Sequence, residues 1–238
     1  MPLITVSEHT FFGQLLSSSS TVLDLGANVG EFATEMVRRF GCTVHCAEPS
    51  PATFEQIPKH ANLRLHQVAI GAENGRFALH INPISMGSGL IKEENATYVG
   101  ETMVTVETLE TFAARLGIGV IDVLKMDIEG VEVEALQKCS DAFLQKVVQM
   151  TVEFHDFNGL VKLEPLAALI RRLEDLGFYF INFSRTVHYN TLFVNRSRAN
   201  LSSGQLIWAK HGTRNIRGMR RMLARRIPWL PRRWVERG

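Results

Sequence analysis

Residues 21–30 read Thr21-Val22-Leu23-Asp24-Leu25-Gly26-Ala27-Asn28-Val29-Gly30. The first five form a short apolar run behind the polar stretch 17–20, the pattern of a strand buried in a parallel sheet. Gly26 to Gly30 reads as a tight turn into a helix, where Phe32, Ala33, Met36, Val37 and Phe40 keep helical spacing until Gly41 ends it. A second apolar run, 43–48, stops at Pro49 and Pro51, residues 52–57 suit a short helix, and 63–70 make a third strand. Residues 21–70 thus predict β-α-β-α-β, the pattern of a parallel sheet covered by helices.

Further along, Asn74-Gly75 predicts a hairpin joining the third strand to 76–81. Residues 83–100 show no period and read as a loop, of a length that marks a functional lid in a compact domain. A strand over 103–106, a helix over 106–116 and a fourth main strand over 120–126 follow. Asp127-Ile128-Glu129-Gly130 then leads into a helix reaching Lys138. Residues 147–154 read as the fifth strand, 163–176 as an amphipathic helix ended by Gly177, and 178–183 with 191–194 as a closing antiparallel pair. The expected fold is α/β and Rossmann-like: a mostly parallel sheet with helices on both faces and an antiparallel C-terminal hairpin. A lead-in, 1–20, precedes one domain, 21–210, and a basic tail, 211–238.

Composition fits this plan. A chain of 238 residues, 45% of them hydrophobic, can bury one sizeable core but not two large ones. Three cysteines, Cys42, Cys46 and Cys139, are too few and wrongly spaced for a disulfide framework or a zinc knuckle, and read as buried thiols. With no secretory leader and no long apolar span, they point to the cytoplasm. The net charge of +2 hides an asymmetry, since residues 211–238 carry nine Arg and one Glu, leaving the rest of the chain at −6.

The turn 26–30 has its own chemistry. In open α/β sheets, ligands bind at the carboxyl ends of the strands beside the switch point. Gly26 and Gly30 let backbone approach a ligand, and Asp24 or Asn28 can reach an amine or order the loop. Glu48 ends the second strand, where a carboxylate accepts hydrogen bonds from ribose hydroxyls. A dinucleotide fingerprint would be G-x-G-x-x-G around a pyrophosphate. Here the spacing is G-x-x-x-G, with Asn28 in place of the middle glycine, which favours S-adenosylmethionine, a cofactor without a pyrophosphate, over a nicotinamide dinucleotide.

Three further segments carry a family resemblance: Ala47-Glu48-Pro49, the run Val123-Leu124-Lys125-Met126-Asp127-Ile128-Glu129-Gly130-Val131-Glu132 with Leu136 beyond, and Glu153-Phe154-His155. Together with 22–30 they resemble the FkbM family of methyltransferases over about residues 21–195, most of the domain. The resemblance implies a class I methyltransferase fold and O-methylation of a hydroxyl on a sugar, glycan, glycolipid or secondary metabolite. It implies cofactor contacts at Gly26, Asn28, Gly30 and Glu48, and near the adenine at Gln67 or Ala69.

The family pattern does not settle the base. Asp127 and Glu129 follow the fourth strand, and Glu153 and His155 follow the fifth, so all four converge on one sheet edge, with Lys125 facing the same way as Asp127. Three readings stand at this point. His155 acts as general base, oriented by Asp127 or Glu153. Alternatively, Asp127, Glu153 and His155 bind a divalent metal. Or Lys125, Asp127 and Glu129 form an ion-pair and capping cluster. His45 and His66 read as packed or surface strand residues, and His188-Tyr189-Asn190 as a hairpin turn near the carboxyl edge, with contact to substrate as the lesser reading.

The tail 214–237 mixes Arg with Trp and Leu, the composition of a segment lying on anionic lipid at the inner membrane face. Nucleic acid is the competing partner for such arginines, but the body lacks both a basic surface and the N/D-P-P-Y/F motif used on flipped bases. A nucleic-acid methyltransferase and a non-catalytic cofactor binder stand as the alternative functions.

Overall fold

The computed structural model describes residues 3–82, 88–91, 97–184 and 186–212. Parts of the expected loop 83–100 and nearly all of the basic tail lie outside these residues. Strand β1 (Leu3–Val6) and strand β2 (His9–Phe12) form an antiparallel hairpin. Then come β3 (Thr21–Leu25), α1 (Glu31–Phe40), β4 (Thr43–Ala47), α2 (Pro51–Phe54) and β5 (Leu63–His66). A second stretch holds β6 (Ala69–Gly71), β7 (Gly75–Ile81), β8 (Gly100–Thr108), α3 (Leu109–Arg115), β9 (Val123–Met126), α4 (Glu132–Lys138) and α5 (Asp141–Leu144). The last described elements are β10 (Gln149–Val152), α6 (Leu163–Asp175), β11 (Phe178–Asn182), β12 (Thr191–Asn195) and α7 (Ser203–Ile207), which runs into a π turn, Trp208–Gly212.

The main sheet has seven strands in the order β11-β12-β10-β9-β3-β4-β5, and only β12 runs against its neighbours. The expected α/β fold with its antiparallel C-terminal pair is therefore present. Strand alternation divides the sheet between two cores. Leu23, Leu25, Leu124 and Met126 pack on the side covered by α3, α4 and α6. Val22, Val44, Cys46 and Val123 pack on the side covered by α1, β2 and α7. All three cysteines are free and buried. No helix among the described residues is long and apolar enough to cross a membrane.

Two expectations need correction. The third strand is not continuous over 63–70: β5 stays in the main sheet, and β6 leaves it for a small sheet of order β6-β8-β7. Nor does Asn74-Gly75 make a hairpin, because β8 lies between β6 and β7. A two-residue hairpin turn of the Asn-Gly kind needs positive φ at both positions, and neither residue adopts it. Asn74 is instead engaged at the end of β8, accepting from the Thr108 amide (2.8 Å) and donating to Thr111 Oγ1 (3.1 Å).

The lead-in is more than a connector. Every residue of β2 is buried. Gln149 clasps both backbone groups of Phe12, His9 Nδ1 lies 3.3 Å from Thr151 Oγ1, and Asn190 donates to Thr10 Oγ1. These polar contacts fasten the hairpin across β10 and the approach to β12. Its turn, Ser7-Glu8, takes φ of 42° and 68°, a left-handed conformation unfavourable for residues other than glycine.

Candidate active site

The turn after β3 is built by the backbone. The Gly26 and Ala27 amides both donate to the Ala47 carbonyl, tying the loop to the end of β4. Gly26 (φ 73°), Asn28 (φ 50°) and Gly30 (φ 80°) are all left-handed. A Cβ at Gly26 would lie 1.8 Å from the Asp127 carbonyl oxygen, so the missing side chain makes room for the end of β9. At Gly30 the space is filled by Ile57.

Beneath this loop Asp24 is fully buried and does not line the cavity above it. Burial raises its pKa, although the Lys125 ammonium pulls the other way from 3.1 Å. Lys125 also donates to the carbonyls of Leu25 (3.2 Å) and Gly26 (2.6 Å). Its own burial favours the neutral amine, but Asp24 and Asp127 outweigh that and keep it charged. Lys125 thus acts as a post holding the loop from below.

A cavity of about 530 Å³ opens above the loop. One half is lined by Gly26, Asn28, Glu48, Ala69 and Ile70. Glu48 is rigidly placed: Oε2 accepts from the Asn28 amide, and Oε1 accepts from the Ser50 amide and the Thr53 hydroxyl. Burial still pushes its pKa up. Asn28 Oδ1 is buried with no donor among the described residues, an acceptor left for a ligand. Gln67 is exposed in the break between β5 and β6 and is not among the lining residues, whereas Ala69 is.

The other half is lined by Glu8, Asp127, Glu129, Glu153, Phe157 and Tyr189. Behind it lies His155, only 3% exposed. Its Nδ1 is 2.9 Å from Glu132 Oε1 and its Nε2 is 3.2 Å from Glu129 Oε2, while Asp127 (3.7 Å) and Glu153 (3.9 Å) stand beyond hydrogen-bond range. Burial alone would lower the imidazole pKa, but the hydrogen bonds to Glu129 and Glu132 outweigh it and hold it at about 11. An imidazole so placed is a fixed cation with no lone pair facing the cavity. Burial, then the charge of Asp127, raises Glu153 to about 8. His9 also reaches this edge, lowered to about 3 by burial and then by Lys125.

The structure thus brings Asp127, Glu153 and His155 to one sheet edge, and shows residues that sequence reasoning left out. Glu132 is fully buried; besides meeting His155 it accepts from the Ile128 and Gly130 amides and so shapes the whole loop after β9. Its signal was the last acid of the segment 125–132. Tyr189, read from the sequence as a turn residue that could also touch substrate, walls the cavity against Phe157 with ring centroids 5.7 Å apart. His9 and Glu8 had no signal, because only the hairpin's return across the sheet brings them there. His45 and His66 stack on each other away from the cavity.

A doubly covered parallel sheet, a glycine turn under a cavity and an acid at the end of the neighbouring strand give the chain the frame of a Rossmann-like methyltransferase. Residues 24–180 match the Methyltransferase FkbM domain, and the chain belongs to that family. Among characterised relatives it is similar to "Methyltransferase 1" of Beauveria bassiana (strain ARSEF 2860), 26% identical over 184 residues, 67% of this chain and 72% of that one. It is also similar to "31-O-demethyl-FK506 methyltransferase FkbM" of Streptomyces tacrolimicus, 27% identical over 193 residues, with 67% and 74% of the two chains covered. "Methyltransferase sdnD" of Sordaria araneosa is 23% identical over 209 residues, with 72% and 78% covered.

Proposed function

We propose that this enzyme methylates a hydroxyl oxygen on an uncharged small molecule or glycan, such as a sugar, a glycolipid or a secondary metabolite. One observation carries the reading. A single cavity joins the half that suits the cofactor to a half that ends in Asp127, Glu153 and an aromatic wall. Six of its described lining residues are acidic and none is Lys or Arg, which suits a neutral acceptor and opposes a phosphate-rich one such as nucleic acid. The Streptomyces tacrolimicus relative, named for methylating a 31-O-demethyl compound, is consistent with an oxygen acceptor.

The donor set fits S-adenosylmethionine. Glu48 would accept from the ribose hydroxyls, Asn28 Oδ1 from the methionyl ammonium, and Ala69 would lie by the adenine. When bound, this cofactor supplies an electrophilic methyl group. Transfer to oxygen needs the acceptor hydroxyl in line with the methyl and a route for its proton. Asp127 presents a carboxylate that orients the hydroxyl and favours loss of its proton, and Glu153, raised to about 8, joins it as an acceptor once ionised at higher pH. His155 is a positioning residue: clamped by Glu132 and Glu129, it fixes the charge around which the two carboxylates stand. Phe157 and Tyr189, packed edge to face, offer an aromatic wall for the acceptor's body.

Titration calorimetry with S-adenosylhomocysteine tests the reading. Micromolar binding to the folded wild type, weakened at least about tenfold in Glu48→Ala by loss of charge-assisted hydrogen bonds, is expected. Absence of binding at millimolar ligand would overturn it. Labelled methyl donor then serves to screen acceptors. The anionic-membrane contact expected of 211–238 rests on composition alone, and flotation of full-length and truncated protein with anionic vesicles checks it.

A further inference from the structure

Three side chains at the carboxyl edge of the sheet remain once the partners of its cations are counted. Lys125 stands 3.1 Å from Asp24 Oδ1 and 3.9 Å from Asp127 Oδ2, and donates to the carbonyls of Leu25 and Gly26. His155 has both ring nitrogens facing Glu132 and Glu129. Asp127 and Glu153, which follow the adjacent strands β9 and β10, have Lys125 and His155 only at 3.7–3.9 Å and no hydrogen-bond donor of their own among the described residues. His9 arrives opposite them from the hairpin, 2% exposed. Its Nδ1 meets Thr151 Oγ1 and its Nε2 has no protein partner among the described residues. One ring nitrogen of His9 and one oxygen each from Asp127 and Glu153 lie within 4.8 Å of one another.

From this convergence we infer that His9, Asp127 and Glu153 form a binding site for a divalent cation of the Mn²⁺ or Mg²⁺ type. The inference rests on the proposed function, because the ion would stand where the acceptor hydroxyl is to be held. Two carboxylates and one imidazole supply the oxygen-rich donor set such ions take. Three protein ligands leave coordination positions open towards the cavity, as a catalytic ion requires. Thr151 acts behind His9, holding the ring by its other nitrogen. The site differs from the combination Asp127, Glu153 and His155 read from the sequence, since His155 is already engaged and His9 takes its place. A bound ion would take an oxygen of the acceptor as a further ligand, and a vicinal diol would fill two open positions.

The test uses full-length protein stripped with chelator and titrated with Mn²⁺, followed by electron paramagnetic resonance of the free ion. One Mn²⁺ per chain is expected, with affinity reduced at least about tenfold in His9→Gln and in Glu153→Gln, and less in Thr151→Val. His45→Gln, away from the cluster, should bind as the wild type does. Binding of S-adenosylhomocysteine, measured on the same samples, shows that each variant is folded. No Mn²⁺ binding at millimolar concentration, or binding that His9→Gln leaves unchanged, would overturn the site. Failure of the proposed function shows separately, as lost S-adenosylhomocysteine binding in the wild type.

Discussion

Replacing Lys125 by Met should unsettle this protein more than any surface change. The side chain is 4% exposed, and its ammonium is the cation nearest the fully buried Asp24. Its removal leaves a carboxylate in the sheet with no countercharge and the Gly26 carbonyl without its donor, while the Leu25 carbonyl keeps the Asp127 amide. Breaking a buried pair from one side costs about 3–5 kcal/mol. For a chain of this size each kcal/mol moves Tm by about 2–4 °C, so a fall of roughly 10 °C is expected. Asp24→Asn combined with Lys125→Met removes both charges and should recover much of that loss, so the two substitutions should be non-additive by more than about 1 kcal/mol. The pH dependence has a definite sign. Burial already places the folded pKa of Asp24 above its unfolded value, and Lys125 opposes the rise. An acid with a raised folded pKa is destabilising above its unfolded pKa, and the loss shrinks as pH falls. Without Lys125 the rise is larger, so the deficit of Lys125→Met should narrow on going from about pH 8 to about pH 5. Urea unfolding of the wild type, Lys125→Met, Asp24→Asn and the double variant at both pH values measures all of this. A Lys125→Met variant within about 1 kcal/mol of the wild type, or strict additivity, would refute the assignment of Lys125 as a buried post.

Three other outcomes are expected. Gly26→Ala forces a Cβ against the Asp127 carbonyl in a left-handed conformation; it should cost at least about 1–2 kcal/mol from the backbone alone and abolish S-adenosylhomocysteine binding by calorimetry. Glu132→Gln keeps the acceptor for the Ile128 and Gly130 amides but loses the charge opposite His155, and should lower stability by about 1.5–3 kcal/mol in urea titration. Burial pushes the Cys42 and Cys139 thiols up to about 11 and about 12, and Cys46 upward as well. No cysteine should therefore react with a thiol reagent in the native protein near neutral pH, and all three should react in denaturant.

The sequence by itself determined the frame. A buried strand announces itself by a run of apolar residues, and a turn by its glycines, so β3, the Gly26–Gly30 turn, α1 and Glu48 were legible from residues close together in the chain. The same locality explains the error at Asn74-Gly75: the dipeptide has a strong preference for a hairpin, but the pairing of β8 between β6 and β7 is a long-range choice that overrides it. The acids of 125–132 and 153–155 were likewise visible, because strand ends inherit their positions from the strands.

Only the tertiary structure decided how those acids are partnered. Whether His155 can take a proton depends on Glu129 and Glu132 curling back to its two nitrogens, a matter of Å in a loop with left-handed Glu129 and Gly130. Whether Asp127 keeps an oxygen for a ligand depends on how Lys125 is shared between it and Asp24 beneath the turn. His9 enters the site because Gln149, Thr151 and Asn190 anchor the N-terminal hairpin across the sheet, over a sequence separation of 142 residues in the case of Thr151. Hydrophobic periodicity is written residue by residue and survives in the sequence. The partner of a buried polar group is set by where the whole chain returns, and no local pattern records it.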